Sequence, residues 1–512
     1  MAHRIKALVA FTTVLSAVSF GVTIGAVPAS ASPSSTYVAT TGTNIANTCA
    51  SPSRPCLTIS YALTQTPTGG TVSVAAGTYA EQVTITKNVT IVGAGSSKTI
   101  IEPSTLPLSD TDTDGGSALY YIVDVAPGVK SANLENLSVN GSAASGQFTS
   151  CALDYVGVYY HDASGVLSND LVTNIELPTG LFGCQDGLGI YVATDTTSAT
   201  PSNVSMQSVT VNNYDKNGIT CDDVGTVCDI STSTITGIGP TPLIAQNGVQ
   251  AWGSSLSLVG SSITANNYTN PNYPSYYTDA TGVLILNAGS VSVLNNVVSA
   301  NNGNIDAQEV ADYGLLAPEG PWIFEGNQIT NAAEGSIPFG DGVGDGIDID
   351  STPGNVTVSS NVVTGNPEFG IGLFGASQTS VNSNQVSGNG YGIYVGGPGS
   401  ANAYYGVASA LNSTKNSIEA NSSNRNIVGI YVDTEASANT LLLNTALSNS
   451  RTDVVDSTTG RGTAGTSDTW LLTSCSTSTP NGICPFAFHL PLTLAPVNLL
   501  QSLLNQLGTL FH

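Results

Sequence analysis

Asn355-Val-Thr-Val-Ser-Ser-Asn-Val-Val-Thr-Gly-Asn-Pro-Glu-Phe-Gly-Ile371 is followed by Thr379-Ser-Val-Asn-Ser-Asn-Gln-Val-Ser-Gly-Asn-Gly-Tyr-Gly-Ile393. Each stretch holds an alternating apolar pair, an Asn-x-Val-Ser/Thr-Gly-Asn run, and a Gly followed by a β-branched residue. Alternation at period two is a strand signal, and the Gly and Asn residues between are turn signals. The Asn run recurs at Asn361–Asn366 and Asn384–Asn389, and in looser form at 261–266 and 296–301. The Gly-led strand recurs ten times, at Gly157, Gly189, Gly218, Gly248, Gly282, Gly314, Gly346, Gly370, Gly392 and Gly429. The tightest spacings are 24 and 22 residues, from Gly346 to Gly370 and on to Gly392.

Three short strands in so few residues make the minimal coil of a parallel β-helix, an all-β solenoid. Parallel stacking satisfies each strand from the coils on either side, about 4.8 Å away. Longer repeats must shed their extra residues as loops, because the strands have to stay in register. The recurring Asn reads as a turn residue that stacks its amide on the next coil's and tolerates the left-handed conformation. An antiparallel sandwich also has many short strands, but gives no reason for one motif to recur in phase.

Composition agrees. Only 9% of the 512 residues are charged, and the net charge is −24. Such a polyanion is a poor partner for nucleic acid, which needs clustered Lys and Arg. Yet 41% hydrophobic residues can bury a large core, which argues against disorder. At the N-terminus Arg4 and Lys6 precede an apolar stretch from Ala7 to about Ile24 and then Ala29-Ser30-Ala31, the layout of a secretory signal peptide. A secreted, extracellular protein is expected, with no membrane span once the signal is removed. Its eight cysteines, Cys49, Cys56, Cys151, Cys184, Cys221, Cys228, Cys475 and Cys484, then read as disulfides, and sequential pairing closes short loops. The expected organisation is 1–31 signal peptide, 32–100 N-terminal cap and first coils, 101–460 repeats, and 461–512 a disulfide turn with a capping helix. Leu500, Leu503, Leu504, Leu507 and Phe511 carry the helical spacing of that tail.

The segment Cys49-Ala-Ser-Pro-Ser-Arg-Pro-Cys56, with Thr58-Ile-Ser-Tyr-Ala62, Val72-Ser-Val-Ala-Ala-Gly-Thr-Tyr79, Glu81 and Val83-Thr-Ile85, resembles right-handed parallel β-helix proteins of the pectin lyase-like superfamily. The resemblance covers roughly Thr36 to Gly460. It implies that a short helix and a G-T-Y-x-E strand cap the first coil, which would otherwise expose an open edge.

Strand alternation maps one outward face. Residues one and three after each Gly are apolar and point inward, so residues two and four point outward. The second positions include Tyr159, Tyr191, Thr220, Gln250, Leu284, Leu316, Asp348, Tyr394 and Tyr431; the fourth include His161, Asp222, Trp252, Asp350 and Phe374. Exposed aromatics mixed with carboxylates suit sugar rings, although Tyr is also simply a good strand residue. Tyr159, Tyr191, Gln250, Trp252, Phe374, Tyr394 and Tyr431 are therefore the candidate substrate-binding residues.

Three clusters could carry chemistry. Asp345, Asp348 and Asp350, with Asp341 nearby, read as solvated turn acids, as a calcium site, or as catalytic carboxyls. Asp348 and Asp350 lie about 7 Å apart on one face by strand rise, within the range used for glycoside hydrolysis. Asp222 and Asp223 echo the Asp pair of the polygalacturonases, but the Asn-Thr-Asp and Gly-His-Gly motifs of that family are absent. His161, the one His within the repeats, could act as a general base. Lyase chemistry wants Arg or Lys, and none falls in the outward stripe. The acidic surface would also repel polyuronates. The expected function is thus a monomer that binds or cleaves an extracellular glycan, with calcium the one cofactor in view. The alternative is a non-enzymatic scaffold or adhesin-like β-helix.

Overall fold

The computed structural model describes residues 34–107, 110–111, 118–195, 198, 200–269, 280–309, 320–333, 344–397 and 412–484. The expected signal peptide, the tail helix, Asp341 and the Gly314-Leu315-Leu316 repeat lie outside them. Within them the chain winds into three parallel sheets of 15, 14 and 15 strands, called here the first, second and third sheets. This is a right-handed parallel β-helix with three strands per coil.

The stretch that began the sequence reading forms two successive coils. Val356–Ser359, Val362–Thr364 and Phe369–Phe374 take one strand in each sheet and stack in register on Ser380–Asn382, Gln385–Ser387 and Tyr391–Val395. Val358, Val363, Ile371 and Leu373 of one coil and Val381, Val386, Ile393 and Val395 of the next are buried inside. They belong to a continuous core running from Val38 to Ile483.

The repeat count needs one correction. The strand between Thr281–Leu286 and Asp345–Asp350 is Gly303–Gln308, which pairs with both. Asn304 stands in it where other coils carry Gly, so the Gly-led pattern passed over this coil. Asp306, not Leu316, therefore occupies the outward row.

The corners explain the Asn repeat. From Ala132–Glu135 onward, first-sheet strands join second-sheet strands through two residues. The first of these is left-handed in all twelve coils, from Asn136 through Asn169, Ser208, Thr232, Gly260, Asn295, Gly326, Ser360, Ser383, Ala420 and Leu443 to Leu472. The recurrent Asn is the second corner residue, so the left-handed conformation falls on its neighbour. Its amide does stack: Asn296, Asn327, Asn361, Asn384, Asn421 and Asn444 each pass hydrogen bonds to the next. A second ladder lines the corner into the third sheet, through Asn366, Asn389 and Asn426. Ala332 interrupts that ladder, and Asn304 bridges the gap by donating to Asn366 Oδ1 at 3.1 Å.

A helix meets the first coils. Helix Ile59–Gln65 lies at the start of the stack. Glu81 accepts hydrogen bonds from Ile59 N (2.7 Å), Ser60 N (2.8 Å) and Ser60 Oγ (2.6 Å), which explains the Glu of the G-T-Y-x-E strand. At the other end Thr469–Leu471, Ser474–Cys475 and Ser478–Thr479 add one more turn of the stack. Cysteines pair in sequence order, Cys49–Cys56, Cys151–Cys184, Cys221–Cys228 and Cys475–Cys484.

Candidate functional site

Because the corner between the first and second sheets is held at two residues from Ala132–Glu135 onward, long connections there enter and leave at the edges of the third sheet. Asn140 to Leu153, Ile175 to Leu188 and Thr330 to Asp345 enter it; Gln308 to Trp322, Val395 to Ser417 and Asp456 to Thr469 leave it. The outer face of the third sheet is therefore the one surface that variable segments border on both sides.

Register fixes what that face displays. One row runs Tyr159, Tyr191, Thr220, Gln250, Leu284, Asp306, Asp348, Gly372, Tyr394, Tyr431. A second runs His161, Ala193, Asp222, Trp252, Leu286, Gln308, Asp350, Phe374. All of the expected substrate-binding side chains lie on this side of the sheet, but Tyr159 is buried there rather than exposed, covered by its neighbours Tyr121 and Tyr191. Alternation breaks near the Gly of each coil, so the residue before it comes out on the same side. Tyr391 and Tyr394 meet with ring centroids 5.3 Å apart, and Asn217 donates to Thr220 Oγ1 at 3.0 Å. Phe369, Tyr391, Asn217 and Asn247 thus join the face. They were missed by counting two and four from the Gly; the signal was their place directly before it.

The face has three zones. At the N-terminal end Tyr159 and Tyr191 stack 5.1 Å apart, Tyr121 meets Tyr159 in a tilted contact at 6.2 Å, and Tyr191 donates to Asp222 Oδ2 at 3.4 Å. At the C-terminal end Phe374, Tyr394 and Tyr431 form a second series; Tyr394 and Tyr431 lie 5.3 Å apart with their ring planes 6° from parallel. Tyr394 donates to Asp433 Oδ2 at 2.8 Å, and burial beside that carboxylate pushes its hydroxyl pKa up. Each aromatic series therefore donates one tyrosine hydroxyl to an aspartate.

Between them the face is polar and then acidic. Asn217, Asn247 and Gln250 share hydrogen bonds of 3.0–3.2 Å. Asp306 and Asp348 are register partners on adjacent strands, and Gln308 partners Asp350. Gln308 Nε2 donates to Asp306 Oδ2 and Ser351 Oγ to Asp350 Oδ1, both at 2.6 Å. Burial raises the Glu309 carboxyl to about 8, so it carries a proton near neutrality. Asp350 is fully buried while Asp348 is half-buried, which gives the two carboxyls different surroundings. Different surroundings are what an acid and its conjugate partner need.

Asp222 ends its strand, and Asp223 follows in a left-handed turn (φ 73°) with its N–H on Asp222 Oδ1 at 3.0 Å. The buried Cys221–Cys228 disulfide fixes this turn from inside. His161 is two strands from Asp222, with Ala193 between, and stacks on Tyr159 at 5.3 Å. Asp222 and His161 thus lie about 9.6 Å apart at the backbone, taking two strand spacings.

The family described as the right handed beta helix region matches residues 188–402 and 281–469. No curated protein sequence matches the chain. Among solved structures, Dettilon tailspike protein gp208 is 13% identical with a TM-score of 0.38, covering 75% of this chain and 61% of its own. The chain thus spans about three fifths of that tailspike. The A-module of the Azotobacter vinelandii mannuronan C-5 epimerase AlgE6 is 12% identical, TM-score 0.36, covering 80% and 91%. The periplasmic alginate epimerase AlgG is 10% identical, TM-score 0.39, covering 79% and 76%.

Proposed function

The chain belongs to the right-handed β-helix family, and we propose that it is an exported protein that binds extracellular glycans along the outer face of its third sheet. The observation that carries this reading is the pair of aromatic series on one face, each hydrogen-bonded to an aspartate. Stacked rings offer apolar edges to sugar faces while the carboxylates accept hydrogen bonds from hydroxyls. Trp252 and Phe374 extend the same rows. Export is supported by four disulfides and by the absence of any free cysteine among the described residues.

For bond cleavage the candidates are Asp348 and Asp350, with Asp306 beside them, and the separate group Asp222, Asp223 and His161. Glycoside hydrolysis suits these carboxyls better than lyase chemistry, which calls for Arg or Lys on the face. A net charge of −24 favours neutral glycans over polyuronates. Calcium at Asp345, Asp348 and Asp350 is the cofactor candidate, and a melting temperature indifferent to chelator would remove it.

A glycan array on the purified protein tests the reading. Binding that Tyr191→Ala with Trp252→Ala abolishes supports it; no glycan bound by the parent protein overturns it. Loss of reducing-end release in Asp348→Asn, with binding kept, would assign cleavage to the acidic zone. The scaffold reading has its own support in the same rings. Tyr394 and Tyr431 cover each other's faces, as residues that only hold coils together would.

A further inference from the structure

The geometry points to a site for one divalent transition metal, of the zinc or manganese type, formed by His161, Asp162 and Asp195. These residues come from adjacent coils where the third sheet turns toward the first. His161 ends its strand, Asp162 follows it, and Asp195 lies just beyond Ala193, the register partner of His161. One ligand atom from each lies within 4.8 Å of the other two.

The spacing fits coordination better than a hydrogen bond. His161 Nε2 and Asp162 Oδ2 are 3.7 Å apart. That is too long for a hydrogen bond. Two ligands about 2.1 Å from a shared ion at a tetrahedral angle stand roughly 3.4 Å apart, so this pair needs only a small movement to share an ion, with the Asp195 carboxylate within 4.8 Å.

The ligands are also held. The imidazole stacks on Tyr159 with the rings 16° from parallel. Asp162 donates its own N–H to Ala193 O at 3.1 Å. Its Oδ1 accepts the N–H of Asp195 at 2.9 Å, which turns Oδ2 toward the histidine. Outer contacts of this kind fix ligand orientation in metal sites.

Ligand chemistry selects the ion. One imidazole and two carboxylates suit zinc or manganese, whereas calcium prefers six to eight oxygens. Two carboxylates neutralise a dication. This site is separate from the Asp345, Asp348 and Asp350 candidate and does not depend on the glycan reading.

The test uses the full chain, stripped with chelator and titrated with zinc chloride by calorimetry. The expected result is one ion per chain, with affinity weakened at least tenfold in His161→Ala and in Asp195→Asn, and calcium failing to compete. His489 and His512 are the other histidines beyond the expected signal peptide, which carries His3. A double His489→Ala, His512→Ala variant should therefore bind like the parent. Circular dichroism of each variant checks that it is folded. No binding by the stripped parent overturns the site, as does parent-like binding by folded His161→Ala or by folded Asp195→Asn.

Discussion

Asn384 Oδ1 accepts two hydrogen bonds from a single residue of the preceding coil: the backbone N–H of Asn361 at 2.9 Å and its side-chain amide at 3.0 Å. Asn384 in turn donates both kinds to Asn421 Oδ1 and also reaches Val358 O at 2.9 Å. Every one of these groups is buried, so each depends on its neighbour for a partner.

Asn384→Ala would orphan the N–H of Asn361 and leave its amide only the bond to Phe324 O at 2.9 Å. A buried group left unpaired costs about 1–3 kcal/mol, so a loss of at least about 2 kcal/mol is expected in chemical denaturation. Asn384→Asp keeps the acceptor and loses the donor, and should fall between parent and alanine variant near neutral pH. An alanine variant as stable as the parent would deny the ladder any energetic role.

Glu81 joins the capping helix to the first coils. Glu81→Ala removes three hydrogen bonds to one carboxylate, and bonds to charged groups are worth about 1.5–3 kcal/mol each at most. The expected effect is about 2 kcal/mol, with Glu81→Gln recovering part of it. Proteolysis should begin near residue 59 in the alanine variant and not in the parent.

Three buried aspartates set a pH dependence. Desolvation raises Asp170 and Asp186 to about 7 and Asp215 to about 8, against backbone N–H groups that pull the other way. Unfolded, each ionises near 3.8. Between these values the folded state holds more protons, so stability falls as pH rises. The contribution is complete below about pH 4 and lost through pH 7 to 8. Melting temperature should therefore drop between pH 5 and pH 9, and Asp215→Asn should flatten that slope. A flat profile in the parent would contradict it.

The Cys221–Cys228 bridge closes a loop with a sequence separation of 7. Loop-closure entropy for so short a loop is about 2.5 kcal/mol. The Cys221→Ser, Cys228→Ser double variant should lose roughly that much in denaturant unfolding, and should lose the fixed turn that carries Asp222 and Asp223.

The fold was open to sequence reading because a coil cannot change its corner without breaking a ladder, so Asn361, Asn384 and their equivalents repeat visibly. Legibility failed where the physics allows substitution. Asn304 replaces a Gly and closes a ladder gap, so its coil carried no Gly-led signature. The left-handed corner residue is Asn, Ser, Thr, Gly, Ala or Leu in different coils, so no letter marks it. The face of the third sheet was half visible. Period-two counting found Tyr394 and Asp348, but the break in alternation hid Tyr391 and Phe369. Asp306 became a neighbour of Asp348 only through the coil that had been passed over.

The two-residue corner has a consequence for how this molecule can vary. It works like the spine of a bound book, whose pages may differ in width only at the free edges. From the strand Asp345–Asp350 to its successor Phe369–Phe374 the chain spends 24 residues, yet from Gly303–Gln308 to Asp345–Asp350 it spends 42, with the same stacking on either side. Added length at those edges costs only slowly growing closure entropy. New segments can thus be grafted beside the third sheet, coil by coil, whereas at the spine only the corner between Val92 and Thr99, ahead of the two-residue run, carries extra length.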